Sequence, residues 1–235
     1  MIDFMISAVA QLPKSSTMRT RILIAAAIFG FASGMIGQSA TAQELSFSYG
    51  VDITSNYISK GSTQTEDRPA IQPYLELNYG KFYTGLWVSN VRFDGASDIE
   101  YDVSLGVRPR WGPVDFDIGF AQYFYRDDNT DYGEAIIKAD WVVSDRVMVG
   151  LDYYREVYAD ENWFYLNAAL AELPWGLTLS GGVGSDFGSR DLPSDKYALD
   201  VGLSRDLSEH SSADLRFYGG NYDDELIVFT LSFFN

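Results

Sequence analysis

The chain has 235 residues, 17 Lys+Arg against 33 Asp+Glu for a formal charge of −16, and no cysteine. That balance repels nucleic acid and favours cations or basic partners, and it excludes disulfide frameworks and thiolate metal sites. Aromatic residues reach 15%, high for so acidic a protein, and they need a surface to sit on.

In chain order, Lys14, Arg19 and Arg21 precede the apolar run 22–36, and "SATAQ" follows with an Ala-x-Ala pattern ending at Ala42. This is the layout of an export signal, with a second usable start at Met18. The run is short for a membrane anchor and is broken by Gly and Ser. Residues 1–42 are therefore expected to be removed, leaving 43–235 as a single domain. Losing Lys14, Arg19, Arg21 and Asp3 takes 17 bases and 33 acids to 14 and 32, a net charge of −18.

Period two then dominates to the end. In "LSFSYGVDI" the odd positions are Leu45, Phe47, Tyr49, Val51 and Ile53, while Ser46, Ser48, Gly50 and Asp52 alternate with them. Side chains of a strand alternate faces, so each such segment has an apolar side and a polar side. Twelve strands are predicted, near 44–57, 70–79, 82–91, 98–108, 114–125, 132–143, 146–156, 162–171, 176–185, 195–205, 212–219 and 225–234; ten is the alternative count. The connections take turns. Short ones such as "YGK", "PRWGP", "VSDR" and "ELPWG" alternate with polar, acidic ones such as "SKGSTQTEDRP" and "RFDGASD". An even number of antiparallel strands with short turns at one end and longer loops at the other is the pattern of a transmembrane β-barrel of the bacterial outer membrane.

Large apolar residues fill one face throughout, including Leu75, Leu77, Val147, Val149, Leu151, Phe164, Leu166, Tyr197, Leu199 and Val201. Apolar outside and polar inside is what lipid requires of a closed barrel, whereas a soluble β-sandwich would bury that face. Tyr57, Tyr79, Phe82, Trp111, Phe124, Tyr132, Trp141, Tyr153, Trp163, Trp175 and Phe233 fall near strand ends and are expected in interfacial girdles. Parity places Asp52, Glu76, Glu100, Asp102, Asp115, Asp117, Glu134, Asp140, Asp152, Asp200 and Asp214 on the inward face, with Arg108, Lys138 and Arg216. An acidic lining selects cations. Twelve strands enclose enough width for a modest channel. The alternatives are a plugged barrel whose inward charges pair internally, or a non-conducting adhesion barrel whose outer loops bind a partner.

The segment after the first strand is similar to a pattern shared by TorF-type porins of proteobacteria. Its matching positions are Thr54, Ser55, Asn56 and Tyr57, Lys60 and Gly61, Thr63 and Gln64, Pro69, Ala70 and Gln72, then Gly85, Trp87, Ser89 and Asn90. The family more often has Arg where this chain has Lys60, and Lys lacks the bidentate fork. The final strand, with Ile227, Phe229, Leu231 and Phe233 on one face, also resembles the C-terminal strand of outer-membrane proteins, apart from the added Asn235. The resemblance implies an outer-membrane barrel of pore function with no substrate attached; the first outer loop, with Lys60 and Arg68, is expected at the pore rim.

Enzymatic chemistry finds little support. Barrel enzymes of this membrane rely on a histidine, and the single His210 lies in the turn "DLSEHS" at the end opposite the long loops. "RDDNTD" (126–131) is acidic enough for calcium but lacks the glycine and distal glutamate of the helix-loop-helix site. The Gly-rich "SGGVGSDFGS" has no following lysine or helix, so space in the lumen explains it better than phosphate binding. The expectation is a monomer, without cofactor or metal, whose partners are outer-membrane lipid and small polar or cationic solutes.

Overall fold

A computed structural model describes residues 44–126, 132–159, 161–186 and 196–235. The expected export signal and most of the "RDDNTD" segment lie outside the described residues. Twelve long strands form the wall: β1 (Leu45–Thr54), β2 (Ala70–Tyr79), β3 (Phe82–Phe93), β4 (Ala96–Val107), β5 (Val114–Tyr125), β6 (Tyr132–Ser144), β7 (Val147–Glu156), β8 (Asn162–Leu173), β9 (Leu177–Ser185), β10 (Tyr197–Ser208), β11 (Ser211–Gly220) and β12 (Leu226–Phe234). Each pairs antiparallel with its sequence neighbours, β4 with β5 included, and β1 with β12 closes the ring. The strand count is twelve, and the alternative of ten falls.

The expected alternation is visible in exposure. Leu45, Phe47, Tyr49, Ile53, Leu75, Leu105, Leu151, Leu166, Tyr197 and Val201 are exposed on the exterior, while Gln72, Glu76, Ser89, Glu100 and Asp102 are buried on the other face. Polar-buried and apolar-exposed inverts a soluble protein, and a ring with no free edge satisfies its backbone without water. Tight turns join β2 to β3 through Gly80 and β6 to β7 through Asp145 and Arg146, while β8 reaches β9 through a 3₁₀ turn at Pro174–Gly176. These define a turn end; the connections at the loop end are mostly longer, but between β3 and β4 the expected loop "RFDGASD" is a two-residue turn at Asp94 and Gly95, because the strands extend to Phe93 and from Ala96.

Two expectations about the strands change. β1 ends at Thr54, although apolar alternation continues to Tyr57. Ser55 keeps touch with the wall, its N–H donating to the Phe229 carbonyl at 2.9 Å and its Oγ accepting from the Phe229 N–H at 3.0 Å, and the chain then turns inward. β10 and β11 run through 208 and from 211, so the "DLSEHS" connection shrinks to a tight turn.

Candidate functional site

The first long connection, 55–69, folds into the bore. Ile58–Ser59 and Ser62–Thr63 form a two-rung hairpin whose turn residues, Lys60 and Gly61, have φ of 47° and 76°. Positive φ at both central positions is a tight hairpin turn, for which Lys-Gly is suited because glycine takes the second place. Asn56 braces the base. Its Oδ1 accepts from Thr63 Oγ1 at 2.7 Å and Thr65 Oγ1 at 2.8 Å, and its Nδ2 donates to Asp67 Oδ1 at 2.8 Å. The Gln64 N–H donates to the Tyr57 carbonyl at 2.7 Å, and its own carbonyl accepts from the Arg92 N–H at 2.8 Å.

The hairpin leaves β1 and lands on the far wall. Lys60 pairs with Glu134 of β6 and lies 5.2 Å from the ring centre of Tyr154 on β7. In a ring of twelve, β6 and β7 stand opposite β1. A Cβ on Gly61 would come 2.3 Å from the Ala198 Cβ of β10, so the backbone there touches the wall directly. Ser62 Oγ accepts from Lys196 Nζ at 2.7 Å, and the Thr63 N–H donates to Asp223 at 2.8 Å. Burial lowers the Lys196 pKa, as desolvation disfavours an ammonium. Lys60 therefore belongs inside the lumen and not at the rim where the sequence reading put it.

Around the hairpin the bore is aromatic. Tyr57 packs edge-on against Trp87, centroids 5.4 Å apart, within a buried cluster that includes Tyr123, Ile136, Tyr154 and Trp163. This corrects the girdle reading for three residues. Tyr57, Tyr132 and Trp163 face inward, while Tyr79, Phe82, Trp111, Phe124, Trp141, Trp175 and Phe233 are exposed on the exterior. Strand parity decides: Tyr132 shares a face with Glu134, and Trp163 with Tyr165, whatever their distance from a strand end. These rings share the loop-end half of the interior with buried polar groups, among them Asn56, Gln72, Ser89, Glu100 and Glu134.

Glu134 is fully buried there. Beside Lys60 it accepts hydrogen bonds from Tyr123 at 2.9 Å and Tyr132 at 3.1 Å. Toward the turn end, charges are paired. Arg108 forks onto Glu76 at 2.7 and 2.8 Å, donates to Asp117 at 2.9 Å, and lies 3.9 Å over the Tyr83 ring. Arg216 pairs with Asp200 and Asp214 and donates to Ser180 at 2.8 Å; Lys138 is 3.8 Å from Asp152. Arg110 reaches Asp115 at 3.6 Å. Asp52 lies opposite Ser232 in the β1–β12 seam, and Asp140 adjoins Asp115 and Gly150. Glu100 accepts from Tyr125 at 3.0 Å. Arg108, Lys138 and Arg216, the bases that parity assigned inward, thus each meet acids assigned the same way.

The remaining residues of the family-like segment build this same loop. Asn90 holds the start of β2, its Oδ1 accepting from the Ile71 N–H at 2.9 Å and its Nδ2 donating to the Pro69 carbonyl at 3.0 Å. Gln72 donates to Ser89 at 3.3 Å. Tyr123 and Tyr154 were missed by the sequence reading. Parity could have found them: Tyr123 continues Asp115, Asp117, Gly119 and Ala121, and Tyr154 follows Asp152.

A family model described as "Bacterial protein of unknown function (Gcw_chp)" matches residues 38–232. No curated protein matches the chain. Among solved structures, the KdgM porin superposes with a TM-score of 0.58 at 10% identity, covering 80% of this chain and 97% of that one. The NanC porin gives 0.50 at 9% identity, over 77% and 97%. An active-site mutant of outer membrane phospholipase A from Escherichia coli gives 0.50 at 9% identity, over 85% and 94%. At such identities the likeness is one of fold: a closed antiparallel twelve-strand barrel.

Proposed function

We propose, for a chain that belongs to the Gcw_chp family of bacterial proteins, a passive, cation-leaning pore for small polar solutes in the outer membrane, narrowed by its own first loop. One observation carries the reading: a closed ring of twelve strands holds an apolar exterior around an interior of charged side chains. A barrel that only anchors itself would gain little from such an interior, since paired buried ions are weak sources of stability. The fold shared with the KdgM and NanC porins supports it, as does the likeness of 54–90 to TorF-type porins. KdgM has been solved with oligogalacturonate. A polyanion of that kind suits this lumen poorly, because Lys60, Arg108, Lys138 and Arg216 face eleven inward acids. An acidic excess draws cations. The expected export signal, removed after Ala42, and a monomeric state belong to the same proposal.

The hairpin across the bore favours a second reading, a barrel closed at rest or not conducting at all. Catalysis is not proposed: His210 sits in the β10–β11 turn, its N–H donating to Ser208 Oγ at 3.1 Å, far from the loop end. Protein refolded into planar bilayers in asymmetric KCl distinguishes these. Open channels with a reversal potential of cation-selective sign are expected; an absence of channels sinks the pore, and anion selectivity sinks the acidic-lining argument. The intact mass of protein extracted from membranes should correspond to a start at Gln43.

A further inference from the structure

We infer that the loop-end chamber of the lumen seats a protonated amine on Asp102, which deepens the pore reading and rests on it. The chamber already holds one ammonium. Lys60 Nζ is placed between the Glu134 carboxylate and the Tyr154 ring, which is how a primary ammonium is recognised out of water: a charge-assisted hydrogen bond on one side and a π-face on another. Two strands around the wall, on β4, stands a second carboxylate with no such occupant among the described residues. Asp102 is 1% exposed, and among the described residues neither of its oxygens has a hydrogen-bond partner. Its lateral neighbours in the sheet are Trp87 on β3 and Tyr123 on β5, so aromatic side chains flank it on both sides.

The same aromatic cluster links the two carboxylates. Trp87 packs on Tyr57 at the base of the hairpin, and Tyr123 donates to Glu134, where Lys60 lands. Ser104, the next inward residue on β4, also has a buried hydroxyl without a partner among the described residues. An ammonium has three N–H donors, and two carboxylate oxygens with a hydroxyl match them in number. A buried carboxylate lacking hydrogen bonds is unfavourable, and an arriving cation that donates to it removes that penalty. The flanking rings favour an organic ammonium over a metal ion. Among the described residues no group of three acidic or imidazole side chains is placed to hold a metal.

Methylammonium and 1,4-diaminobutane, added to one side of single channels in KCl, test this. Reversible block is expected, weakened roughly tenfold or more in Asp102→Asn, as for loss of a hydrogen bond to a charged group. Asp102→Glu should retain most of it and Trp87→Leu should lose part. Isothermal titration of detergent-refolded protein with methylammonium reads binding whether or not a channel opens, and heat-modifiable gel mobility checks each variant's fold. Open channels that amines neither block nor bind overturn the amine site and leave the pore standing. Binding without channels overturns the pore and leaves the amine site. Equal block by Mg²⁺, lost together with amine block in Asp102→Asn, overturns the choice of amine, as does Asp102→Asn behaving like the parent.

Discussion

Gly61 answers two constraints at once. Its φ of 76° is a left-handed conformation that disfavours a side chain by roughly 1–2 kcal/mol. Its missing Cβ is also what lets the hairpin touch Ala198. Gly61→Ala should therefore lift the hairpin tip and free Lys60 from Glu134. Trypsin cleavage after Lys60 in liposome-embedded protein should speed up about tenfold, the factor that corresponds to about 1.4 kcal/mol. Adding Ala198→Gly should restore part of the protection by making room; no change in cleavage would mean the tip is not held there. At this scale the sequence was legible where parity applies: Glu134, Asp152 and Arg216 could be assigned inward one by one. Lys60 could not, because its partner is 74 positions away and loops ordinarily stay at the surface.

Among the elements, the first connection behaves as a folded unit and not as a tether. Beyond the hairpin, Glu66 ties it to the β3–β4 turn, its Oε1 accepting from the Gly95 N–H at 2.7 Å and its Oε2 from Arg92 Nε at 2.8 Å. The Gly95 N–H, with Arg92 and Arg68 nearby, holds the Glu66 carboxyl below the usual glutamate range. The sign follows: a carboxyl whose folded pKa is depressed stabilises the contact above its unfolded pKa, about 4.3, and that contribution is lost as pH falls through the folded value. Hydrogen exchange at the Gly95 amide should stay slow from neutral pH through the ordinary glutamate range and lose its protection only below it. Glu66→Gln should show weaker protection at neutral pH and no acid transition. A parent amide already unprotected at neutral pH would refute the tie. Strand existence was readable from period two; the end of β1 was not, because alternation persists through Tyr57 while Asn56 and Ser55 redirect the backbone.

The whole molecule is a ring, and its closure is uneven. β3 and β4 share twelve paired positions, whereas β1 and β12 share five, from Gly50↔Phe234 to Thr54↔Thr230. The alternation of short and long connections made an even-stranded barrel legible in the sequence. Nothing in that alternation says which long connection turns inward, since this depends on contacts that exist only once opposite walls face each other. Past the last rung of the seam, Asn235 takes over. Its side-chain oxygen accepts from the Tyr49 N–H at 2.8 Å, its amide donates to the Phe47 carbonyl at 3.1 Å, and its own N–H donates to the Tyr49 carbonyl at 3.2 Å.

That last residue has a consequence in time as well as in space. Phe47 and Asn235 stand 188 positions apart and Tyr49 and Asn235 186, so these are among the most distant contacts the described chain must find. Pairings of such separation form late and slowly, because the intervening chain must be gathered first. With five rungs the seam is a weak clasp, and one amide side chain lengthens it at the moment it shuts. Asn235→Ala should leave the ring's architecture intact, remove two side-chain hydrogen bonds each contributing about 1 kcal/mol, and slow the final phase of refolding into liposomes followed by gel mobility. Unchanged refolding kinetics would place the slow step elsewhere than the clasp.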